Sequence, residues 1–296
     1  MFPRWPEALR VAAVGVALTI STMTLPAQAQ DSQGETTVQE IRPTSSGYAE
    51  AAGGLEIYYE VYGEGEPIVV LAGGLMPIST TAQITGPLSE TRQVIAIDLE
   101  GHGRTALRES PLSPERNGDD VAAVLRHLGI AEADVAGYSY GGAAAIWMAI
   151  RHPEMVRNLI VIATGFASEG WYPETQEGRS ALGASLAEPL MATPIFEGYG
   201  HPEQFPLFLD RVGELIRKDW DWREEIRALP MPVLLVFADH DSVSMQHIAE
   251  FIALFGGGVR EPGVIDPQFS RARLAIIPGY SHYNLVQAPE VAQVIE

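Results

Sequence analysis

One stretch constrains this chain more than any other: Ala133 to Arg151, an apolar strand pattern, a very tight turn and an Ala-rich helical run built around one serine. Val135 and Ala136 read as strand, Gly137-Tyr138-Ser139-Tyr140-Gly141-Gly142 as the turn, and Ala143 to Ile150 as helix with Ile146, Trp147 and Ile150 at helical spacing. A strand that reverses into a helix over so few residues forces the central residue into a strained conformation, and flanking glycines leave room for the helix to pack close. The Ser139 oxygen is then held at a helix N-terminus, where free N–H groups and the dipole favour developing negative charge. A Gly/Ser loop could match these five letters by chance, but the strand before and the helix after argue against that.

Around that turn, apolar runs alternate with helical patterns. Pro67 to Leu71, Gln93 to Asp98, Val156 to Ala163 and Pro232 to Ala238 are continuous apolar runs, as strands buried on both faces require. Tyr48–Ala52 and Leu55–Tyr62, split by Gly53-Gly54, read as an antiparallel hairpin, and Leu274–Ile277 as a short last strand. Helices are expected over 81–90, 117–129, 244–255 and 289–296. The fold class is therefore α/β, a mostly parallel doubly wound sheet, with ligands at the carboxyl ends of the strands. Between about 164 and 229 the alternation breaks into Pro- and aromatic-rich sequence, including Phe166, Trp171, Phe205, Trp220 and Trp222. An insertion on that side would lie over Ser139 as a small cap, most of its aromatics forming the cap's own core.

The N-terminus bounds the compartment. Arg4 and Arg10, the short apolar run Val11 to Ile20 and the small-x-small site Ala27-Gln28-Ala29 read as a signal peptide over 1–29, because that run is shorter than the roughly 20 residues a span needs. Residues 30–46 are polar and expected to be a disordered lead-in, leaving 47–296 as the folded domain. The expected location is exported, periplasmic or secreted, with no membrane attachment after cleavage. The formal charge of −19 repels phosphate backbones and anionic lipid, which argues against nucleic-acid and membrane-surface roles. Cysteine is absent, so disulfides and thiolate chemistry are excluded. No His/Asp/Glu cluster shows metal-ligand spacing, and neither metal nor cofactor is expected.

A serine hydroxyl needs a base, and the base an orienting acid. Of the seven histidines, His282 lies in the loop after the last expected strand, at the same sheet edge as Ser139 and in the order Ser, acid, His. His102, after Asp98, is its main competitor and is read as structural; His127 and His152 sit on helices away from that edge. Asp239 and Asp241 both qualify as the acid, and the residues alone do not separate them. The backbone N–H groups of Gly74 and Tyr140 are the natural oxyanion donors.

Four motifs in order, Gly-Tyr-Ser-Tyr-Gly-Gly at 137–142, Asp98-Leu99-Glu100-Gly101-His102-Gly103, Ala238-Asp239-His240-Asp241 and Gly279-Tyr280-Ser281-His282, together resemble the α/β-hydrolase superfamily in its capped, esterase-like branch. The resemblance covers about Tyr48 to Glu296. It implies Ser139 as nucleophile, His282 as base and Asp241 as acid, since the last Asp of the family's Gly-Asp-x-Asp pattern usually serves, with Gly74 and Tyr140 as oxyanion donors. Ala72 stands where the family commonly has His, and Ala238 where it has Gly. The implied activity is hydrolysis of a small-molecule carboxylic ester or lactone. Carbon–carbon bond hydrolases and cofactor-free perhydrolases share the same triad, whereas dehalogenases and epoxide hydrolases of this fold carry Asp in place of the serine. A non-catalytic ligand-binding protein of the same fold is the alternative of a different class.

Overall fold

The computed structural model describes residues 41–296 except 194, 195, 197, 259, 262 and 266–268. The expected signal peptide and the first part of the lead-in lie outside the described residues. Eight strands form one sheet in the order β1-β2-β4-β3-β5-β6-β7-β8. They are β1 (Ser45–Glu50), β2 (Glu56–Tyr62), β3 (Glu66–Leu71), β4 (Arg92–Ile97), β5 (Ala133–Tyr138), β6 (Val156–Ile162), β7 (Val233–His240) and β8 (Ala272–Ser281). Only β1 and β2 run antiparallel to their neighbours; β4, β3, β5, β6, β7 and β8 are mutually parallel.

Continuous apolar strands demand cover on both faces, and the helices supply it. Val69, Leu71 and Val135 pack with α2 (Pro114–His127), α3 (Tyr140–Arg151) and α8 (Met245–Leu254) on one side. Ile68, Val70 and Ala136 pack with α1 (Ala82–Leu88) and α9 (Pro289–Ile295) on the other. This is the expected doubly wound α/β sheet.

Three details of the sheet and its covering helices depart from the expectations. Ordered structure begins inside the lead-in, because Ser45 and Ser46 pair with Val61 and Glu60. Helix α2 starts at Pro114, not Asn117: the Ser113 side chain accepts from Arg116 N–H and Pro114 occupies the first helical position, where its missing N–H is no loss. Strand β8 runs through Pro278, which a strand tolerates at the sheet's open edge because no further neighbour needs its N–H.

Between β6 and β7 the chain builds the cap: α4 (Pro173–Ser180), α5 (Ala187–Met191), α6 (Phe205–Ile216) and α7 (Arg223–Arg227). Its aromatics divide, contrary to the expectation that most would form its own core. Phe205 and Phe208 are buried in a cap core, with Phe196 and Tyr199 against them, but Phe166, Trp171 and Trp222 belong to the sheet's core. The reason is position: Phe166, Trp171 and Trp222 lie at the cap's two stems, where isolated bridges join Ala167 to Asp221 and Trp171 to Val243.

Candidate active site

Strand β5 ends at Tyr138 and α3 begins at Tyr140, so the whole reversal falls on Ser139, with φ 51° and ψ −111°. A side-chain-bearing residue there costs on the order of 1–3 kcal/mol and persists only where neighbours over-determine it. They do so here. Ser139 N–H donates to Ile162 O at 2.8 Å, and the Thr164 hydroxyl donates to Ser139 O at 2.8 Å. A Cβ on Gly141 would stand 2.4 Å from Ala72 O, so only glycine lets the helix approach the end of β3 this closely.

The Ser139 hydroxyl lies 3.1 Å from His282 Nε2, and His282 Nδ1 lies 3.0 Å from Asp241 Oδ1. Sheet register explains the second contact: His240 and Ser281 are paired across β7 and β8, so the residues that follow them emerge side by side. Both are buried. The Asp241 carboxylate also accepts from Ala238 N–H at 3.2 Å and Val243 N–H at 3.1 Å, which locks its plane. With Nδ1–H donated to that carboxylate, Nε2 carries the lone pair and can accept the serine proton. The Tyr138 hydroxyl donates to the His282 carbonyl and holds its loop against β5.

The same register separates the two aspartates. Asp239 lies outside the site, where it accepts from Gly279 N–H at 2.9 Å and pairs with His240 Nδ1 at 2.9 Å. His102 is likewise apart from Ser139. Its Nδ1–H donates to Glu100 O at 2.9 Å, its ring stacks on Tyr140, and burial pushes its pKa down to about 4. His152 pairs with Asp119 on the surface and His127 packs on Tyr59.

Gly74 and Tyr140 are neighbours across the site: a Cβ on Gly74 would contact Tyr140 Cβ at 3.5 Å. Tyr140 N–H opens α3 and so has no acceptor within the helix. Both line, with Ser139 and His282, a cavity of about 480 Å³ roofed by cap residues such as Leu182, Val212 and Trp220. That size and apolar lining suit a small organic molecule. Among the described residues no group of His, Asp and Glu could hold a metal ion.

Several contributors had weak or no signal in the sequence. Thr164 could have been suspected from its place directly after an apolar strand. His247, whose Nε2 accepts from Phe166 N–H at 3.0 Å at the cap's first stem, had none, and nor did Arg179, a lone cation in a polar helix that turns out to line the cavity.

The model of the Alpha/beta hydrolase family matches residues 68–294. Among curated relatives, the chain is 28% identical over 222 residues to RutD of Azorhizobium caulinodans, a proposed carbamate hydrolase, across 68% of this chain and 83% of that one. It is 25% identical over 217 residues to 3-oxoadipate enol-lactonase 2 of Acinetobacter baylyi, across 66% and 79%. A thermophilic esterase of Thermogutta terrifontis superposes with a TM-score of 0.65 at 20% identity, over 85% of this chain and 96% of that one, which shows a shared fold.

Proposed function

Because this chain belongs to the alpha/beta hydrolase family, we propose that it is a serine hydrolase cleaving a carboxylic ester or lactone through an acyl-enzyme. The observation that carries the reading is the unbroken relay Ser139–His282–Asp241, with links of 3.1 and 3.0 Å, opening into the cavity.

Ser139 Oγ attacks the substrate carbonyl while its proton passes to His282 Nε2. Asp241 holds the imidazole in the tautomer that can accept and stabilises the imidazolium. The carbonyl oxygen gains negative charge, which the N–H groups of Gly74 and Tyr140 meet. As the tetrahedral adduct collapses, the C–O bond to the leaving alkoxide breaks and His282 returns its proton to that oxygen. A water then repeats the sequence on the acyl-enzyme, releasing the acid and restoring Ser139. The esterase and lactonase names among relatives and neighbours agree with this substrate class. Export belongs to the same proposal and rests on the charged, apolar and small-x-small pattern of residues 1–29.

Ser139→Ala tests it. Turnover of 4-nitrophenyl butyrate by the variant is expected to fall by on the order of 10³-fold or more, with wild-type circular dichroism. Undiminished turnover would sink the reading.

A further inference from the structure

On its cap side the cavity above Ser139 is lined by apolar side chains, by the exposed Lys218 and Asp219, and by one cation that is less exposed than either. Helix α4 brings Arg179 to its wall, with the guanidinium carbon 3.9 Å over the Trp171 ring. Trp171 stands edge-on to the His282 ring at 5.2 Å, so one rigid indole touches both the cation and the imidazole. Other cap arginines have acceptors: Arg211 bonds Arg108 O, Arg217 bonds Ser180 O, and Arg223 pairs with Asp221 and Glu169. Arg179 has none among the described residues. In a chain with 38 acidic against 19 basic side chains, a carboxylate partner would be easy to supply, so its absence here needs a reason. Of the cavity's other charged groups, Lys218 and Asp219 are exposed, and Glu115 accepts from the Ser113 hydroxyl.

Arg179 is half-buried, and a guanidinium partly withdrawn from water without a counter-charge is best matched by a planar carboxylate, which fits its fork of N–H groups. We propose that Arg179 binds a carboxylate carried by the substrate, so that the favoured substrates are esters or lactones bearing a free carboxylate away from the scissile carbonyl, such as half-esters of dicarboxylic acids. The proposal rests on the serine-hydrolase reading, since both use the same cavity. Burial lowers the Arg179 pKa to about 10, which still leaves it charged at neutral pH. The net charge of −19 repels anions at long range, so a cation on the cavity wall is what a monoanionic substrate requires. Stacking on Trp171 keeps the guanidinium plane oriented, which lowers the ordering cost of binding.

The test compares mono-4-nitrophenyl glutarate with 4-nitrophenyl butyrate. Wild type is expected to favour the charged ester in kcat/KM by about tenfold or more. Arg179→Met is expected to lower that ratio by about tenfold or more, chiefly through KM, and Arg179→Lys to recover part of it. An unchanged ratio in Arg179→Met, or its loss in Lys218→Met instead, overturns the proposal. Glutarate titrated into Ser139→Ala, with tryptophan fluorescence as readout, separates this from the fate of the serine. Adding Arg179→Met is expected to weaken glutarate binding by about tenfold or more whatever the nucleophile is; equal binding with and without Arg179 overturns the carboxylate site alone.

Discussion

Two aspartate–histidine pairs at the carboxyl edge of the sheet carry the same residue types and do opposite things. After β4 come Asp98 and His102; after β7 and β8 come Asp241 and His282. In the second pair, carboxylate and imidazole bond to each other and the free ring nitrogen faces Ser139. In the first they never meet. Asp98 accepts from Ile78 N–H and Arg104 N–H, both at 2.9 Å, and burial pushes its carboxyl up to about 6. His102 gives Nδ1–H to Glu100 O, while its ring packs between Tyr140 and Phe208. A histidine can act as a base where one nitrogen is held and the other is open to the proton it must accept, the arrangement that the carboxylate and Ser139 give His282. Where backbone and apolar rings surround it, it is a strut. The Asp98 loop has its own relation to the site, for it ties down the segment that follows the Gly73-Gly74 turn.

The hardest test of this contrast is Asp241→Asn. The carboxylate receives backbone N–H on both oxygens as well as the imidazole N–H, so an amide must aim its NH₂ at a donor in either flip. The imidazole then loses its orienting charge, and kcat for 4-nitrophenyl butyrate is expected to drop by on the order of 10³–10⁴-fold with the fold retained. A loss of only a few-fold would erase the distinction between the two pairs.

His102→Phe probes the other side. It keeps the ring stacked between Tyr140 and Phe208 but removes the bond to Glu100 O, at a cost on the order of 1 kcal/mol at pH 7. The cost should depend on pH with a definite sign. The folded His102 takes a proton only near pH 4, the unfolded one near its ordinary value of about 6.5. Unfolding therefore takes up a proton between those values, and the stability His102 supplies is complete above about pH 6.5 and lost as pH falls. Urea unfolding should show wild type losing its advantage over His102→Phe from pH 7 to pH 4.5, and the sign of the gap reversing, a swing on the order of 2 kcal/mol. A gap independent of pH would mean that His102 titrates like a solvated residue.

Much of this was legible because it is periodic or punctuated. Runs such as Pro67–Leu71 can be satisfied only inside a parallel sheet, and Gly137–Gly142 can bend only one way, so the fold and the places of Ser139 and His282 were readable from residue order. The cap aromatics were not, because their partition between two cores depends on where the stems meet the sheet, which Trp171 and Trp222 do not announce. The choice of Asp241 over Asp239 came from the family resemblance and not from the residues themselves. Two residues apart on a regular strand, they would share a face; the register shift between Ala238 and His240 breaks that rule, and nothing local marks it. Arg179 was invisible for a different reason, because the significance of a cation lies in the absence of a partner, and that is a property of three dimensions.

That shift makes Asp239→Asn the finest probe of the comparison, and the smallest expected effect. Asp239 has its carboxyl held below the usual range by the bond from His240, helped by Gly279 N–H, and both partners lie on the outer side of the β7–β8 edge. Exposed pairs of this kind contribute little, so kcat should stay within about threefold of wild type. The residual effect has a sign. A carboxyl whose folded pKa is depressed supplies stability that is present above its unfolded pKa, about 3.9, and is lost as pH falls through the folded value. Wild type should therefore hold a slight advantage over Asp239→Asn near neutrality that disappears in strong acid, as thermal midpoints at the two extremes would reveal. Should kcat instead collapse as it does for Asp241→Asn, the acid would be shared between the two positions, and the register shift would not be what selects it.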